Sequence, residues 1–524
     1  MSNPVSGIMI VIFSVVAILL SWQLFRRKYD TSAILLLALA GLALRLFTAG
    51  DHYLHEWDER YHALVAKNMI HHPLTPTLYE NTPLPYDYRD WTSNHVWLHK
   101  QPMAMWTMAG SMATFGVNEF ALRLPSALFS TLGILLIFFI GSYFFDRKTG
   151  YLSAFFFAIN GFIIELAAGR MPTDHIDITF LFFTELTVFL TIIFINKQKT
   201  VFNLLAGISL GLAIFTKWLP ALVIVPVWLA LVLDSSIFPP RKVVWQLILY
   251  CGAAAAICLP WQFYIFNAFP QEAAWESSMN FRHLTEVVEG QSGTVWYYLD
   301  KVRINYGELI YIPLVWFIIL QVKKSKNLKY WALSVWFFIP LVFFSLAATK
   351  MPGYMLYTSP VLFIVAAAFF WQLYDWKKRI RFPILVYILL IFFIALPIRY
   401  AIERSKPFSK RERNPEWVKE LRDQGKAQRA KRKVEADRQP LTADREPLTA
   451  DHRLDSTLLF NYPRPVEAMF YTNWTVYKII PDTSTLRDLY LQGYRIIIND
   501  NGQLAPEVMG FPEAEHRSFT VPGK

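Results

Sequence analysis

Long apolar stretches separated by short polar connections dominate residues 1–400 of the chain. A helix that crosses a bilayer needs about 20 mostly apolar residues, with tolerance for tilt. The first stretch is followed by Arg26, Arg27 and Lys28 instead of a small-residue cleavage site, so it is not a cleavable signal. The pattern predicts an all-α polytopic membrane protein with about twelve transmembrane helices. The predicted spans are residues 6–25, 31–49, 120–145, 151–168, 174–195, 201–215, 217–233, 243–267, 303–321, 329–348, 353–374 and 382–400.

Basic residues are concentrated in every second connection between these spans. Those connections contain 17 Lys and Arg against 4 acidic residues, so the positive-inside rule places them in the cytoplasm and both chain termini outside. The chain is 54% hydrophobic and 17% charged, whereas a soluble domain carries about 25% charged residues. The net charge of +11 is therefore mainly a topology signal, and it predicts membrane lipids, not nucleic acid, as partners.

The pattern divides the chain into three parts. Residues 1–400 form a transmembrane domain with an external loop at 51–119, in which residues 103–117 are interpreted as a juxtamembrane or re-entrant helix. Residues 401–455 carry many charges and repeat the letters PLTAD, which is typical of a solvated linker. Residues 456–524 alternate short strands with helical patches, which predicts a small external α/β domain of βαβαβ type.

Candidate chemistry begins in the first external loop, which holds seven of the eleven histidines together with many carboxylates. Loops of this length are usually functional or disordered. Residues 56–70 have the spacing of an amphipathic helix, with Asp58 and Glu59 in its first turn. Acidic residues at a helix start are also ordinary, because they suit the helix dipole, so the pattern alone leaves both interpretations open.

Further polar residues recur at the same predicted side of the membrane. Cations, carboxylates or imidazoles occur in three segments: GRMPTDHID, which contains Arg170 and Asp174, the loop 268–302, and TKMPGY. Any one of them is explained by snorkelling or loop solvation, as is Lys217 in TKWLP, but their recurrence across several loops favours chemistry on an anionic amphiphile such as a lipid phosphate.

An ordered series of motifs resembles a known family. WDERYHALVAKNMIHHPLTPTLYE, LHKQPMAMW, GRMPTD, GLAIFTKWLP and ATKMPGYMLYTSP follow one another over about residues 50–375. They resemble the integral-membrane C-type glycosyltransferases that use polyprenyl-phosphate sugars, which include the aminoarabinose transferases of lipid A and the protein O-mannosyltransferases. The resemblance implies the C-type superfold.

The resemblance also implies roles for individual residues. Asp58, beside Glu59, matches the catalytic carboxylate of the first external loop, and Asp174 matches an acid after the fourth span. The positions expected to contact the donor phosphate are Lys100, Arg170, Arg282, Lys350 and Tyr354. His283 matches a loop histidine implicated in metal binding, and His99 replaces the glutamate of the aminoarabinose enzymes, so a divalent metal (Zn, Mg or Mn) is an expectation here.

These residues lead to a hypothesis of sugar transfer from a polyprenyl-phosphate donor to the hydroxyl of a lipid, glycan or protein, with inversion. Asp58 accepts the proton, cations stabilise the leaving phosphate, and a metal held by some of Asp58, His99, Asp174 and His283 assists. The expected location is the periplasmic face of a bacterial inner membrane, where lipopolysaccharide modification takes place.

The alternative hypotheses are a transporter or flippase for lipid-linked sugars and a non-catalytic binder of them. A transporter needs polar residues near the bilayer midplane, whereas few ionisable residues here are mid-span, with Glu165 and Glu185 as the main candidates. The concentration of ionisable groups at loops and span ends favours an enzyme.

Overall fold

The computed structural model describes residues 3–173, 175–377, 382–438 and 457–521. The chain forms two compact units, of which the first comprises Met1–Gly50 and Leu98–Arg411 and the second Asp51–Trp97 and Glu412–Lys524. The larger part of the first external loop thus belongs to the same unit as the C-terminal region, whereas the predicted domain boundaries joined the whole loop to the membrane helices.

Helices account for most of the described chain. In chain order they are α1 (Asn3–Arg26), α2 (Asp30–Ala49), α3 (Asp58–Asn68), α4 (Met103–Phe115), α5 (Glu119–Phe144), α6 (Arg147–Ile159), α7 (Gly161–Ala167), α8 (His175–Lys197), α9 (Thr200–Lys217), α10 (Ile224–Ser235), α11 (Pro240–Ala268), α12 (Pro270–Thr285), α13 (Tyr297–Tyr306), α14 (Tyr311–Lys323), α15 (Leu328–Leu346), α16 (Ser359–Trp376), α17 (Pro383–Ser405), α18 (Glu416–Arg438), α19 (Pro465–Tyr471), α20 (Thr483–Leu491) and α21 (Pro506–Met509). Short 3₁₀ segments precede α10, α14 and α16, at Leu219–Val223, Glu308–Ile310 and Pro352–Thr358.

The membrane helices follow the apolar stretches of the sequence. Within the described residues, nine helices are long and apolar enough to cross a membrane, and the number rises to eleven if each of two bent pairs is one span. The shorter apolar helix Leu219–Ser235 occupies the remaining predicted stretch. The prediction of an all-α polytopic fold is confirmed, while the count of twelve and the orientation of the loops stay predictions.

Two predicted spans are bent helix pairs, for local reasons. α6 and α7 meet at 52° at Asn160, whose side chain accepts the Ile163 amide and donates to the Asn305 carbonyl, each at 3.0 Å. Such side-chain bonds to the backbone cap a new helix and interrupt the preceding one. The second pair bends by 117° at Gly307, whose φ of 103° is readily available only to glycine.

The apolar segment 103–117 forms a short helix. α4 contains 13 residues, which gives a length of about 20 Å at 1.5 Å per residue, well short of the roughly 30 Å hydrocarbon core. The Asn118 side chain then accepts the Ala121 amide and begins α5. The predicted helix is confirmed, and its short length fits the interpretation that it does not span the bilayer.

The second unit contains a parallel sheet. The strands β1 (Thr457–Phe460), β2 (Thr475–Val476), β3 (Arg495–Asn499) and β4 (Ala514–Arg517) are arranged in the order β2-β1-β3-β4, and each adjacent pair is parallel. The predicted βαβαβ arrangement is confirmed, with β4 as an additional strand. The sequence analysis missed β4 because AEHR contains no apolar run like those of β1 and β3. Leu84 of the first external loop lies in the same core cluster as Leu458 and Ile496.

The predicted linker contains a helix. α18 lies inside residues 401–455, and its side chains of Trp417, Val418 and Leu421 are buried. The three apolar residues form a short stripe at helical spacing that the surrounding charges conceal in the sequence, and the predicted division of the chain into three domains stays a prediction. Residues 439–456 lie outside the described residues.

Candidate active site

The helix α3 begins at the proposed catalytic carboxylate. Asp58 is its first residue and is half-buried, at the helix end where the dipole favours a negative charge. The preceding residue, Trp57, has φ 70° and ψ −134°, a backbone conformation that bulky residues rarely adopt and that costs about 1–3 kcal/mol. Its side chain is exposed. The predicted amphipathic helix at 56–70 is confirmed, and it starts at a strained junction.

The neighbouring carboxylate, Glu59, has a different environment. It is fully buried, and its Oε2 accepts the backbone amide of His55 at 2.6 Å and lies 2.7 Å from the Nδ1 of the same residue. The other ring nitrogen lies 3.1 Å from Asp51, which in turn accepts Arg413 Nε at 2.7 Å. This chain of contacts lies within the second unit and fixes the residues that lead into α3.

In the first unit, the structure joins two of the predicted segments. The backbone amides of Thr349 and Lys350 donate to the carbonyls of His283 and Gln291, each at 3.0 Å. The Thr349 hydroxyl donates to the Glu286 carbonyl at 2.8 Å and accepts the Val288 amide at 3.0 Å. The end of α12, which contains His283, and the loop after it are therefore hydrogen-bonded to the TKMPGY segment, which contains Lys350.

Lys350 is a buried cation. Only 4% of its surface is exposed, and its Nζ donates to the Ala347 carbonyl. Among the residues that the structure describes, no carboxylate forms an ion pair with it. An ammonium group taken out of water without an anion loses several kcal/mol of hydration free energy, so this position favours an anionic ligand.

His99 and Lys100 form a second cluster in the first unit. His99 Nδ1 lies 3.3 Å from Glu276 Oε2, and His99 Nε2 lies 3.2 Å from the Lys100 ammonium. Burial of the ring, together with the nearby Lys100 charge, lowers the pKa of His99 below its ordinary value. A neutral ring explains both contacts, since Nδ1–H then donates to Glu276 while Nε2 accepts from Lys100. Burial also lowers the pKa of His283, whose Nδ1 donates to the Met279 carbonyl at 2.7 Å.

The described residues do not fit the expected metal site. No group of three or more His, Cys, Asp or Glu side chains within them could hold a metal ion. The His99 lone pair at Nε2 faces an ammonium instead of an open position. Asp174, one of the expected ligands and catalytic residues, lies outside the described residues. Metal dependence therefore stays a prediction, and no step below depends on it.

The remaining predicted phosphate contacts lie at different positions in the first unit. Arg282 is exposed and forms an ion pair with Glu286 at 2.7 Å. Arg170 donates to the Ser405 carbonyl at 3.4 Å. The Tyr354 ring lies 5.0 Å from the Lys217 ammonium. Lys350 and Lys100 thus have more suitable surroundings for a phosphate than Arg282, which already has a carboxylate partner.

Sequence analysis missed an ion pair beside this group. Lys217, interpreted as a snorkelling residue, pairs with Asp177, whose side chain is 3% exposed. α8 and α9 are consecutive packed helices, so the beginning of the first lies beside the end of the second. A hairpin interpretation of spans five and six could have identified the pair, since Asp177 follows the start of one span and Lys217 ends the next.

We expect Lys217→Met to destabilise the protein by about 3 kcal/mol, because it leaves a buried carboxylate without a cation. The double variant Asp177→Asn/Lys217→Met should recover much of that loss, since no unpaired charge remains. Denaturant unfolding in detergent micelles measures both. Lys199→Met, at an exposed position, serves as the control, and equal stability of Lys217→Met and this control would contradict the assignment.

The two mid-span carboxylates are buried inside the first unit. Glu165 forms an ion pair with Arg404 at 2.5 Å, which connects α7 to α17. Glu185 is fully buried, and neither carboxylate oxygen has a hydrogen-bond partner among the described residues. Its environment includes Gly133, where an added Cβ would lie 2.7 Å from Glu185 Oε2. Both acids therefore occupy packed positions in this unit.

The sequence is similar to that of a mannosyltransferase family and to those of individual bacterial proteins. The family model for dolichyl-phosphate-mannose-protein mannosyltransferase matches residues 99–264. The undecaprenyl phosphate-alpha-4-amino-4-deoxy-L-arabinose arabinosyl transferase of Pseudomonas savastanoi pv. phaseolicola is 26% identical over 348 residues, which cover 63% of this chain and 59% of the relative. An uncharacterised protein of Aquifex aeolicus is 23% identical, with 64% and 63% covered. The matched region thus spans about three fifths of the length of these relatives.

Solved structures show the same fold. ArnT from Cupriavidus metallidurans bound to undecaprenyl phosphate superimposes with a TM-score of 0.59 at 16% identity, covering 92% of this chain and 91% of that one. The archaeal oligosaccharyltransferase AglB from Archaeoglobus fulgidus has a TM-score of 0.55 at 13% identity, with 86% and 65% covered. The superfold that the motifs imply is confirmed.

Proposed function

We propose that this chain transfers a sugar from a polyprenyl-phosphate donor to an acceptor hydroxyl. In sequence and fold it is similar to the integral-membrane glycosyltransferases that use such donors. The ordered motifs, the family-model match and the shared fold support this reaction class. The acceptor class, whether lipid, glycan or protein, is left open. Because some of its relatives are aminoarabinose transferases, lipopolysaccharide is the first acceptor to test.

The observation that carries the proposal is the buried Lys350 ammonium. It is 4% exposed and lacks a carboxylate partner among the described residues. Its segment is bonded through the Thr349 backbone to His283 at the end of α12, and through its own backbone to Gln291 in the loop that follows. A preorganised cation in a site shielded from water stabilises negative charge far more than it would in bulk solvent. The phosphate of a polyprenyl donor supplies the anion that this position requires.

The proposed reaction forms one C–O bond and breaks another. The acceptor oxygen attacks the anomeric carbon on the side opposite the lipid phosphate, and its proton passes to the Asp58 carboxylate. The bond between the anomeric carbon and the phosphate oxygen breaks, and the phosphate leaves with the bonding electron pair. Lys350 and Lys100 stabilise the negative charge that develops on this oxygen. Attack from the opposite side inverts the anomeric centre.

The environments of the two acidic residues at the start of α3 support separate roles for them. Asp58 is half-buried, whereas Glu59 is fully buried and bonded to His55. A general base must reach the proton that it accepts. We therefore assign proton acceptance to Asp58 and a supporting role to Glu59.

We place this reaction at the periplasmic face of a bacterial inner membrane. The multi-pass helical structure supports a membrane location, and the basic connections favour a cytoplasmic position for the opposite face. Cysteine accessibility measurements in intact cells test this topology. A cysteine is introduced at exposed Glu507 and treated with an impermeant reagent. Labelling that occurs only after the inner membrane is permeabilised would contradict the proposed topology.

The decisive experiment is sugar transfer by purified protein in detergent, with a panel of polyprenyl-phosphate sugars and an envelope extract as acceptor. We expect consumption of one donor and a product with inverted anomeric configuration by NMR. Retained configuration would exclude direct displacement. Binding of donors without turnover, across the panel and with divalent metals added, would instead support the transporter or the non-catalytic binder.

A further inference from the structure

Within the second unit, α3 is attached to the C-terminal α/β region by a lysine. The Lys67 ammonium, near the end of α3, donates to three carbonyl oxygens, those of Met469, Phe470 and Thr472, at 2.6, 3.1 and 2.7 Å. These groups lie at the end of α19, where the last carbonyls of a helix lack intrahelical partners and where its dipole favours a cation. A side chain of α3 thus caps a helix of the C-terminal region.

A second anchor lies at the beginning of α3. Glu467 of α19 is fully buried, and its Oε1 lies 3.3 Å from Arg60 and 3.5 Å from Arg464. Arg464 also pairs with Glu56 at 2.7 Å. Residues two positions before and two positions after Asp58 are therefore both attached to the same short part of the C-terminal region.

The strained residue lies between these attachments. Trp57, with φ 70°, follows Glu56 and directly precedes Asp58. A backbone conformation of this kind persists only where surrounding contacts hold it. The ion pairs of Glu56 and Arg60 lie on either side of Trp57 in the sequence. The orientation of Asp58 at the start of α3 therefore depends on the C-terminal region.

We propose that Lys67 and Glu467 are positioning residues, which act through α3 to hold the Asp58 carboxylate in the orientation that proton transfer requires. This inference rests on the proposed function, in which Asp58 is the general base. A displacement of about 1 Å in a reacting group can reduce the rate by about 10²-fold. The C-terminal region therefore controls turnover, while the cations of the first unit bind the donor phosphate.

The test measures kcat and the donor KM for full-length Lys67→Met and Glu467→Gln. We expect kcat to fall by about 10–100-fold while KM stays within about threefold, the pattern of a change that affects the transition state more than ground-state binding. Lys67→Arg keeps a cationic donor and should recover most of the rate. Lys478→Met and Glu507→Gln change exposed residues of the same unit and should behave as wild type.

Several results would overturn the positioning role. Wild-type kcat in folded Lys67→Met and Glu467→Gln would do so, as would a lower unfolding midpoint with unchanged kcat, or equal losses of kcat and donor binding. If Lys67→Met does not fold, the comparison of Lys67→Arg with Glu467→Gln decides. Asp58→Asn and the wild-type protein are measured in parallel. Sugar transfer by Asp58→Asn would exclude Asp58 as the general base, whereas absence of transfer by the wild-type protein would overturn the proposed function itself. An inactive Asp58→Asn beside a fully active Lys67→Met would overturn the positioning role alone.

Discussion

Asp58→Asn should reduce sugar transfer by about 10²–10⁴-fold, the usual contribution of a general base, while binding of undecaprenyl phosphate stays unchanged. The amide has nearly the same shape as the carboxylate but cannot accept the acceptor's proton. Because Asp58 is the first residue of α3, the replacement also keeps a polar side chain at the helix start. The measurement is the single-turnover rate with saturating donor, which separates chemistry from product release.

Asp87→Asn provides the matched control. Asp87 lies in the same external loop, is exposed and pairs with its near neighbour Arg89 at 3.0 Å. We expect wild-type rates for this variant. A loss of similar size in both variants would indicate a general effect of charge in the loop, and an active Asp58→Asn enzyme would exclude Asp58 as the base.

Lys350→Met should weaken binding of undecaprenyl phosphate by about 30-fold or more, since removal of one partner from a buried charge pair costs about 2–5 kcal/mol. The same variant should raise the stability of the ligand-free protein, because a buried ammonium without a carboxylate partner in the described chain is replaced by an apolar side chain. Loss of ligand affinity with a gain in stability is the behaviour of a residue selected for function.

The measurements are the affinity for undecaprenyl phosphate and the unfolding midpoint in the same detergent. Undecaprenol, which has the same chain without the phosphate, is the control ligand and should bind both proteins equally. Lys217→Met is the control variant. It removes the cation that pairs with Asp177, so it should lower the stability of the protein instead of raising it. Unchanged affinity of Lys350→Met for the phosphate would remove Lys350 from the donor site.

The features predicted correctly from sequence have local causes. Apolar length predicts the helical spans, and short apolar runs predict β1 and β3, because each signal lies within a few consecutive turns or strand residues. The existence of α3 follows in the same way from apolar spacing, although the helix begins at Asp58, two residues after the predicted start. The motifs predict the superfold because they follow one another in the expected order over most of the membrane region.

The features that sequence analysis missed depend on contacts between distant residues. Lys217 has the same local pattern whether it snorkels or pairs with Asp177, and only the packing of α8 against α9 decides between them. The buried stripe that begins at Trp417 is too short to distinguish a packed helix from a charged linker. The attachment of Lys67 to α19 spans 402 residues to Met469, and nothing in either segment alone identifies its partner.

That separation has a consequence for biosynthesis. At 5–20 residues per second, the ribosome needs about 20–80 s to make the residues between Lys67 and Met469, during which the intervening helices are available for membrane insertion. Contacts of such high sequence separation form late. A nascent chain can therefore complete its membrane helices before α3 is secured, so that catalytic competence should appear only after the last segment has been synthesised and folded, and chains released early should be inserted but inactive.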